Sequence, residues 1–128
     1  MTMTIMDAVA EWYDALDAGD FDRVVAIFSP TGTYQDPYTG GPISGEALGT
    51  HHRQRRGPFT DRVCTVVTSG AWSETEAAAR VSSSLRHIES GKVVTVDAGE
   101  FFIYDPESGK LSSVVGFFDP GQIRRQLE

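Results

Sequence analysis

Two carboxylates stand in sequence settings suited to acid–base chemistry. Asp36 closes a short β-prone run, Thr33-Tyr34-Gln35, directly before Pro37, and the Gly/Pro-rich stretch Thr39-Gly40-Gly41-Pro42 follows. Proline biases the preceding residue toward an extended conformation and lacks a backbone donor, so a strand stops at Asp36 and leaves its side chain at a strand end beside a turn. A strand end next to a glycine-rich turn suits the mouth of a pocket; Asp before Pro is also ordinary turn chemistry, and both readings stand. Glu100 lies in Ala98-Gly99-Glu100-Phe101-Phe102-Ile103-Tyr104. By the two-residue period of a strand, Ala98, Glu100, Phe102 and Tyr104 share one face. Both faces of this run are apolar, which argues for cover on both sides. A carboxylate between Ala98 and Phe102 lies either on a solvated face, where it titrates ordinarily, or in an apolar cavity, where the charged form is disfavoured and the pKa rises; the apolar neighbours favour the cavity.

Around these two, Tyr34 shares the parity of Asp36 and is a candidate for the cavity wall, as are Phe102 and Phe118. Gly99 and Gly116 sit inside strand-like runs, where a missing side chain either admits a ligand or marks a β-bulge that bends the sheet. His51 and His52, adjacent on a helical segment, are expected to point apart, and His87 has no carboxylate at ligand spacing, so no metal site is expected. Asp97 points away from Glu100 by parity, toward solvent or a partner copy.

The elements that must position these residues follow from periodicity. Met6, Val9, Trp12, Tyr13 and Leu16 recur at helical spacing opposite Asp7, Glu11, Asp14 and Asp17, predicting a first helix over Met6 to Ala18 that Gly19 stops. Asp20 is an expected N-cap for a second helix, Phe21 to Phe28. Ser29-Pro30-Thr31-Gly32 reads as a loop before the strand that reaches Asp36. A third helix is expected from Gly45 to Arg56, ended by Gly57-Pro58. The period then changes: Arg62 to Ser73, Glu76 to Ile88, Lys92 to Tyr104 and Leu111 to Phe118 read as four strands rich in Val, Thr and aromatics. Short polar connections make sequential antiparallel pairing the simplest topology. Pro120 to Leu127 reads as a last helical turn. Helices followed by a meander give an α+β domain spanning residues 1–128.

Composition excludes several function classes. The 128 residues carry a net charge of −7, so phosphate-rich partners such as nucleic acid are disfavoured. The longest apolar runs are a few residues, far short of a membrane span. The N-terminal stretch lacks the basic start of a signal peptide, so a cytoplasmic location is expected. The single cysteine, Cys64, cannot form an internal disulfide, and in its apolar run it reads as a core residue, not a nucleophile.

The motifs ALDAGDFDRVVAIFSPTGTYQDP, GGPISGEAL and SGKLSSVVGFFD, in this order of elements, resemble the nuclear transport factor 2-like superfamily, and within it the ketosteroid isomerase branch and the SnoaL-type polyketide cyclases. The resemblance implies a cone: a strongly curved antiparallel sheet wrapped around the N-terminal helices, with an internal pocket. It also implies the ketosteroid isomerase logic, in which a carboxylate base moves a proton between carbons while a tyrosine and a protonated acid hold the enolate oxygen. On this likeness Asp36 takes the place of the base, Glu100 that of the acidic donor, and Trp12 that of the oxyanion tyrosine, with Tyr13 one helical step of about 100° away. An indole donates one hydrogen bond but has no acidic proton to share. Epoxide hydrolysis fits less well, because Gly116 stands where that branch carries a carboxylate. The expectation is a cofactor-independent isomerase- or cyclase-type enzyme, forming a homodimer and acting on a small hydrophobic carbonyl or polyketide-like compound, with Asp36 and Glu100 catalytic and Trp12, Tyr13, Tyr34, Phe102, Gly116 and Phe118 around the ligand. The alternative from another class is a non-catalytic binding or association domain on the same fold.

Overall fold

The first helix, α1 (Ile5–Ala18), starts at a reciprocal cap: Thr4 Oγ1 accepts from the Asp7 N–H, and Asp7 Oδ2 accepts from the Thr4 N–H at 2.8 Å. It ends at Gly19, whose φ of +67° is the left-handed conformation that a glycine adopts at little cost. Its apolar stripe, including Ala8, Val9, Trp12, Tyr13 and Leu16, is buried. Asp20 Oδ1 caps the short α2 (Phe21–Ala26) by accepting from the Arg23 N–H, as its residue type predicts. The computed structural model describes residues 3–128.

Helix α2 ends earlier than periodicity predicts, because Phe28 already belongs to β1 (Phe28–Gln35). Ser29 to Gly32, expected as a loop, therefore lies inside a strand. The reason is tertiary: β1 is an edge strand lying parallel to β5 (Lys110–Phe117), with Phe28 opposite Leu111 and Tyr34 opposite Val114. An edge tolerates Pro30, and the register shift between Phe28 and Thr33 absorbs the irregular stretch. Beyond Asp36, the Tyr34 and Ile43 backbones bond reciprocally at 2.8 and 2.9 Å, folding the glycine turn back against the strand. Helix α3 (Glu46–Arg56) follows with Gly45 as N-cap and no side-chain cap.

The remaining strands are β2 (Phe59–Ala71), β3 (Glu76–His87) and β4 (Val93–Asp105), and the five-stranded sheet runs β1-β5-β4-β3-β2. Its β2 to β5 pairings are sequential and antiparallel, as expected. Register shifts between Thr60 and Val63, between Val66 and Thr68, and between Ile103 and Tyr104 mark where the ladder bends around α1. The inner row of β3 is small, Ala77, Ala79, Val81 and Ser83, all buried, and this makes room for the aromatic side chains of α1 and β4. The architecture is the α+β cone that the sequence implies. Helix α4 (Gln122–Leu127) closes the chain, and its Gln122 and Gln126 side-chain amides each bond both backbone groups of one residue on β4, Asp97 and Thr95, at 2.7 to 3.0 Å. No helix among the described residues is long and apolar enough to cross a membrane.

Candidate active site

Glu100 stands between Ala79 on β3 and Gly116 on β5, two residues too small to cover it from the side. It is 8% exposed. Both aromatic residues singled out on α1 reach it: Tyr13 Oη donates to Glu100 Oε1 at 2.7 Å, and Trp12 Nε1 donates to the same oxygen at 3.3 Å. One helical step thus separates two donors that converge on a single acceptor. Desolvation drives the Glu100 pKa above the ordinary glutamate value; the bonds from Tyr13 and Trp12 and the Arg62 guanidinium pull the other way without cancelling it. Burial and the Glu100 carboxyl likewise keep the Tyr13 phenol protonated. In the protonated acid, Oε1 is the acceptor for α1, so the proton sits on Oε2, the oxygen on the Gly116 side.

Asp36 faces the same gap from the end of β1. A β-carbon added at Gly116 would lie 3.4 Å from Tyr34 Oη, 3.5 Å from Glu100 Oε2 and 3.6 Å from Asp36 Cβ, so Gly116 floors the space between the two carboxyls. Neither Gly99 nor Gly116 is a bulge, since Gly99 pairs with Phe117 and Glu100 with Gly116 in unbroken register. Asp36 Oδ1 accepts the Tyr38 N–H at 2.7 Å, which makes it a turn residue as well, while Oδ2 accepts Tyr34 Oη at 2.7 Å and His51 Nε2 at 2.9 Å. Burial pushes the Asp36 pKa up, but the bonds from His51, Tyr34 and the Tyr38 N–H outweigh it and hold the carboxylate below its ordinary value. An ionised carboxylate only accepts, so His51 carries its proton on Nε2.

His51 and His52 correct an expectation. Although about 100° apart on α3, both imidazoles reach the cavity, with ring centroids 5.1 Å apart in an edge-to-face contact. His52 also packs against Tyr34 and Trp12, at 4.4 and 5.2 Å. Burial and the neighbouring His51 push its pKa down to about 3, so it is neutral at physiological pH. At the basic end of α3, Arg56 Nη1 donates to Leu16 O at 2.7 Å and Arg55 stacks over Tyr38 at 3.7 Å. Their place on the helix that follows the Asp-Pro turn set both histidines beside the site, whereas their adjacency alone pointed to opposite directions.

These groups surround a cavity of about 160 Å³. Trp12, Tyr34, Asp36, Glu100 and Phe118 line it, joined by His51, His52 and Ser83. Phe102 and Tyr13 stand one layer behind. Phe102 is fully buried, edge-to-face with Tyr13 at 6.2 Å, because its strand row turns into the core below Glu100; Tyr13 meets the site only through Glu100. Cys64 is half-buried, with a thiol whose pKa burial raises, and it packs on the core. Among the described residues, no three His, Cys, Asp or Glu side chains gather as a metal set.

The SnoaL-like domain model matches residues 9–114, most of the chain. The chain belongs to the SnoaL-like domain family. No curated protein matches it in sequence. Solved structures share the fold at low identity. A protein of ketosteroid isomerase-like fold from Catenulispora acidiphila, bound to trimethylamine, is 12% identical with a TM-score of 0.81, over 94% of this chain and 91% of that one. A candidate SnoaL-like polyketide cyclase from Shewanella denitrificans is also 12% identical, with a TM-score of 0.80 and 95% of each chain covered. An LEH-like epoxide hydrolase from M. tuberculosis is 20% identical with a TM-score of 0.74, over 99% of this chain and 88% of that one. At these identities the likeness fixes the fold of this SnoaL-like domain and leaves its chemistry to its own residues.

Gly116→Val tests whether the gap between the carboxyls is where ligand binds. The first added carbon makes ordinary contacts, and valine suits a strand, so the fold is expected to persist. The further methyls enter the gap, and any small ligand that occupies it is expected to bind about 10- to 100-fold more weakly, read by titration of intrinsic fluorescence.

Proposed function

We propose that this SnoaL-like domain is a cofactor-independent acid–base enzyme of isomerase or cyclase type that acts on a small hydrophobic carbonyl compound. The observation that carries this reading is a pair of carboxyl groups on one small cavity with pKa values moved in opposite directions, Glu100 upward and Asp36 downward. Such a split assigns acid and base. Protonated Glu100 donates from Oε2 to the substrate carbonyl oxygen, and Tyr13 and Trp12 on Oε1 hold that carboxyl in place. The Asp36–His51 pair removes the proton next to the carbonyl; the resulting enolate keeps its oxygen on Glu100 and is reprotonated at another carbon or attacks an internal electrophile. The cavity volume suits a one-ring molecule or the reacting end of a longer one.

Exchange of the acetophenone methyl protons in D₂O, followed by NMR, tests this reading without the natural substrate. Acceleration over buffer supports it, and loss of that acceleration in Asp36→Asn assigns the base. A second reading, a non-catalytic ligand-binding domain, draws support from the three donors that already occupy Asp36. It predicts acetophenone binding with no exchange.

The homodimer belongs to the same proposal. The outer face of the sheet presents Trp72, Phe101, Ile103 and Phe117, each at least 44% exposed, with Phe101 edge-on to Trp72 and Phe117 at 6.4 and 5.7 Å. A second copy would cover this apolar patch. Sedimentation equilibrium is expected to give twice the chain mass, and Phe101→Asp to shift it to that of a single chain. A single-chain mass for the natural protein at high micromolar concentration removes the dimer.

A further inference from the structure

We propose that His52 binds a hydroxyl group of the substrate, so that the cavity takes a hydroxylated carbonyl compound with its carbonyl at Glu100 and its hydroxyl at His52. The inference deepens the acid–base reading above and rests on it. His52 lies on the cavity wall, buried, and its Nε2 is the one buried side-chain polar atom without a hydrogen-bond partner among the described residues. Its neighbours are rings: Trp12, Tyr34 and His51 surround it within 5.2 Å, centroid to centroid. Tyr34 Oη and His51 Nε2 bond to Asp36 and Trp12 Nε1 to Glu100, so none of these three atoms is bonded to His52. A buried nitrogen left unpaired is costly, and an apolar residue of the same shape would avoid the cost. On the helix face that also buries Leu48, one turn away, the chain nonetheless carries an imidazole.

The chemistry of the missing partner follows from the state of the ring. A neutral imidazole donates at one nitrogen and accepts at the other. Nε2 therefore needs an acceptor in one tautomer and a donor in the other. A hydroxyl meets either need. A ketone oxygen meets only the first, and a carboxylate or ammonium brings a charge that a ring kept neutral by burial cannot balance. Trp12 bonds Glu100 and packs edge-to-face on His52, so one indole adjoins both of the groups assigned to the ligand oxygens.

Four probes test the assignment on the full chain: acetophenone and its 2′-, 3′- and 4′-hydroxy derivatives. At least one hydroxy isomer is expected to bind about tenfold or more tighter than acetophenone. It is also expected to move the His52 Nε2 resonance in a long-range proton–nitrogen NMR spectrum, whereas acetophenone leaves that resonance in place. His52→Phe keeps an aromatic ring in the slot and is expected to remove the preference for the hydroxyl. Hydroxy isomers that bind no tighter than acetophenone, a preference that survives His52→Phe, or an Nε2 resonance that no isomer moves overturns the proposal. If His52→Phe does not fold, the nitrogen spectrum of the natural chain decides. The Glu100 carboxyl carbon separates the two levels of failure. Acetophenone that moves it while no hydroxy isomer gains affinity removes the His52 assignment alone, and acetophenone that leaves it unmoved removes the carbonyl reading and this inference with it.

Discussion

Asp36→Asn is expected to lower the rate of acetophenone proton exchange by about a thousandfold while leaving the fold in place. The amide is isosteric. Its oxygen can still accept the Tyr38 N–H, and its NH₂ can donate to Tyr34 Oη, which is donor and acceptor in one, or to His51 with the imidazole in its other tautomer. The charge is lost, and with it the acceptor strength that takes up the substrate proton. Stability at neutral pH should fall by about 1–2 kcal/mol, the scale of weakened bonds to a charged group. The pH dependence has a definite sign. The folded-state pKa of Asp36 lies below its unfolded value, so its contribution is complete above the ordinary value of 3.8 and is lost as pH falls through the folded one. Urea midpoints of the variant and the natural chain should therefore differ at pH 7 and converge as pH falls below 3.8 and through the lower folded-state value. Undiminished exchange in Asp36→Asn sinks the base assignment, and gross unfolding makes Asp36 a turn residue first.

Glu100→Gln should move stability the opposite way. The folded-state pKa of Glu100 is raised, so the natural chain is favoured below the ordinary value of 4.5 and loses that advantage as pH rises through the folded value. Glutamine has no such charge. At neutral pH the variant should be the more stable, by about 1.4 kcal/mol for each unit by which the folded value, or the working pH where that is lower, exceeds 4.5, and the gain should vanish below pH 4.5. Its carbonyl must face Tyr13 and Trp12, so its NH₂ enters the gap as a weaker donor, and exchange should slow by about a hundredfold. A variant less stable than the natural chain at pH 7 would mean that Glu100 is charged there and that its bonds to α1 are structural.

Both carboxylates were legible in the sequence for local reasons. A proline fixed where the first strand had to end, and the two-residue period placed Glu100 among apolar neighbours whatever the sheet did around it. Trp12 and Tyr13 could be placed on α1, but not their convergence on one oxygen, which depends on how far the helix axis lies from β4. His51 and His52 show the limit of spacing arguments. A step of 100° separates two side chains around an axis, yet long aromatic side chains at the wall of a concave site can both bend into it. The segment Ser29 to Gly32 looked like a loop because Pro and Gly are local signals, whereas the hydrogen bonds that make it a strand come from residues some eighty positions later.

Helix α4 carries one more consequence. Where β5 ends, the outer side of β4 at Thr95 and Asp97 would be an open sheet margin offering its N–H and C=O groups to any passing extended chain, the usual start of aggregation. Gln122 and Gln126 occupy those groups instead. Four residues rise about 6 Å along a helix, and two residues advance nearly 7 Å along a strand, so side chains on one helix face fall in step with alternate strand residues. Two primary amides thus imitate the rung spacing of a missing strand. A segment of six residues with no buried member covers two rungs at which an extended chain would otherwise add.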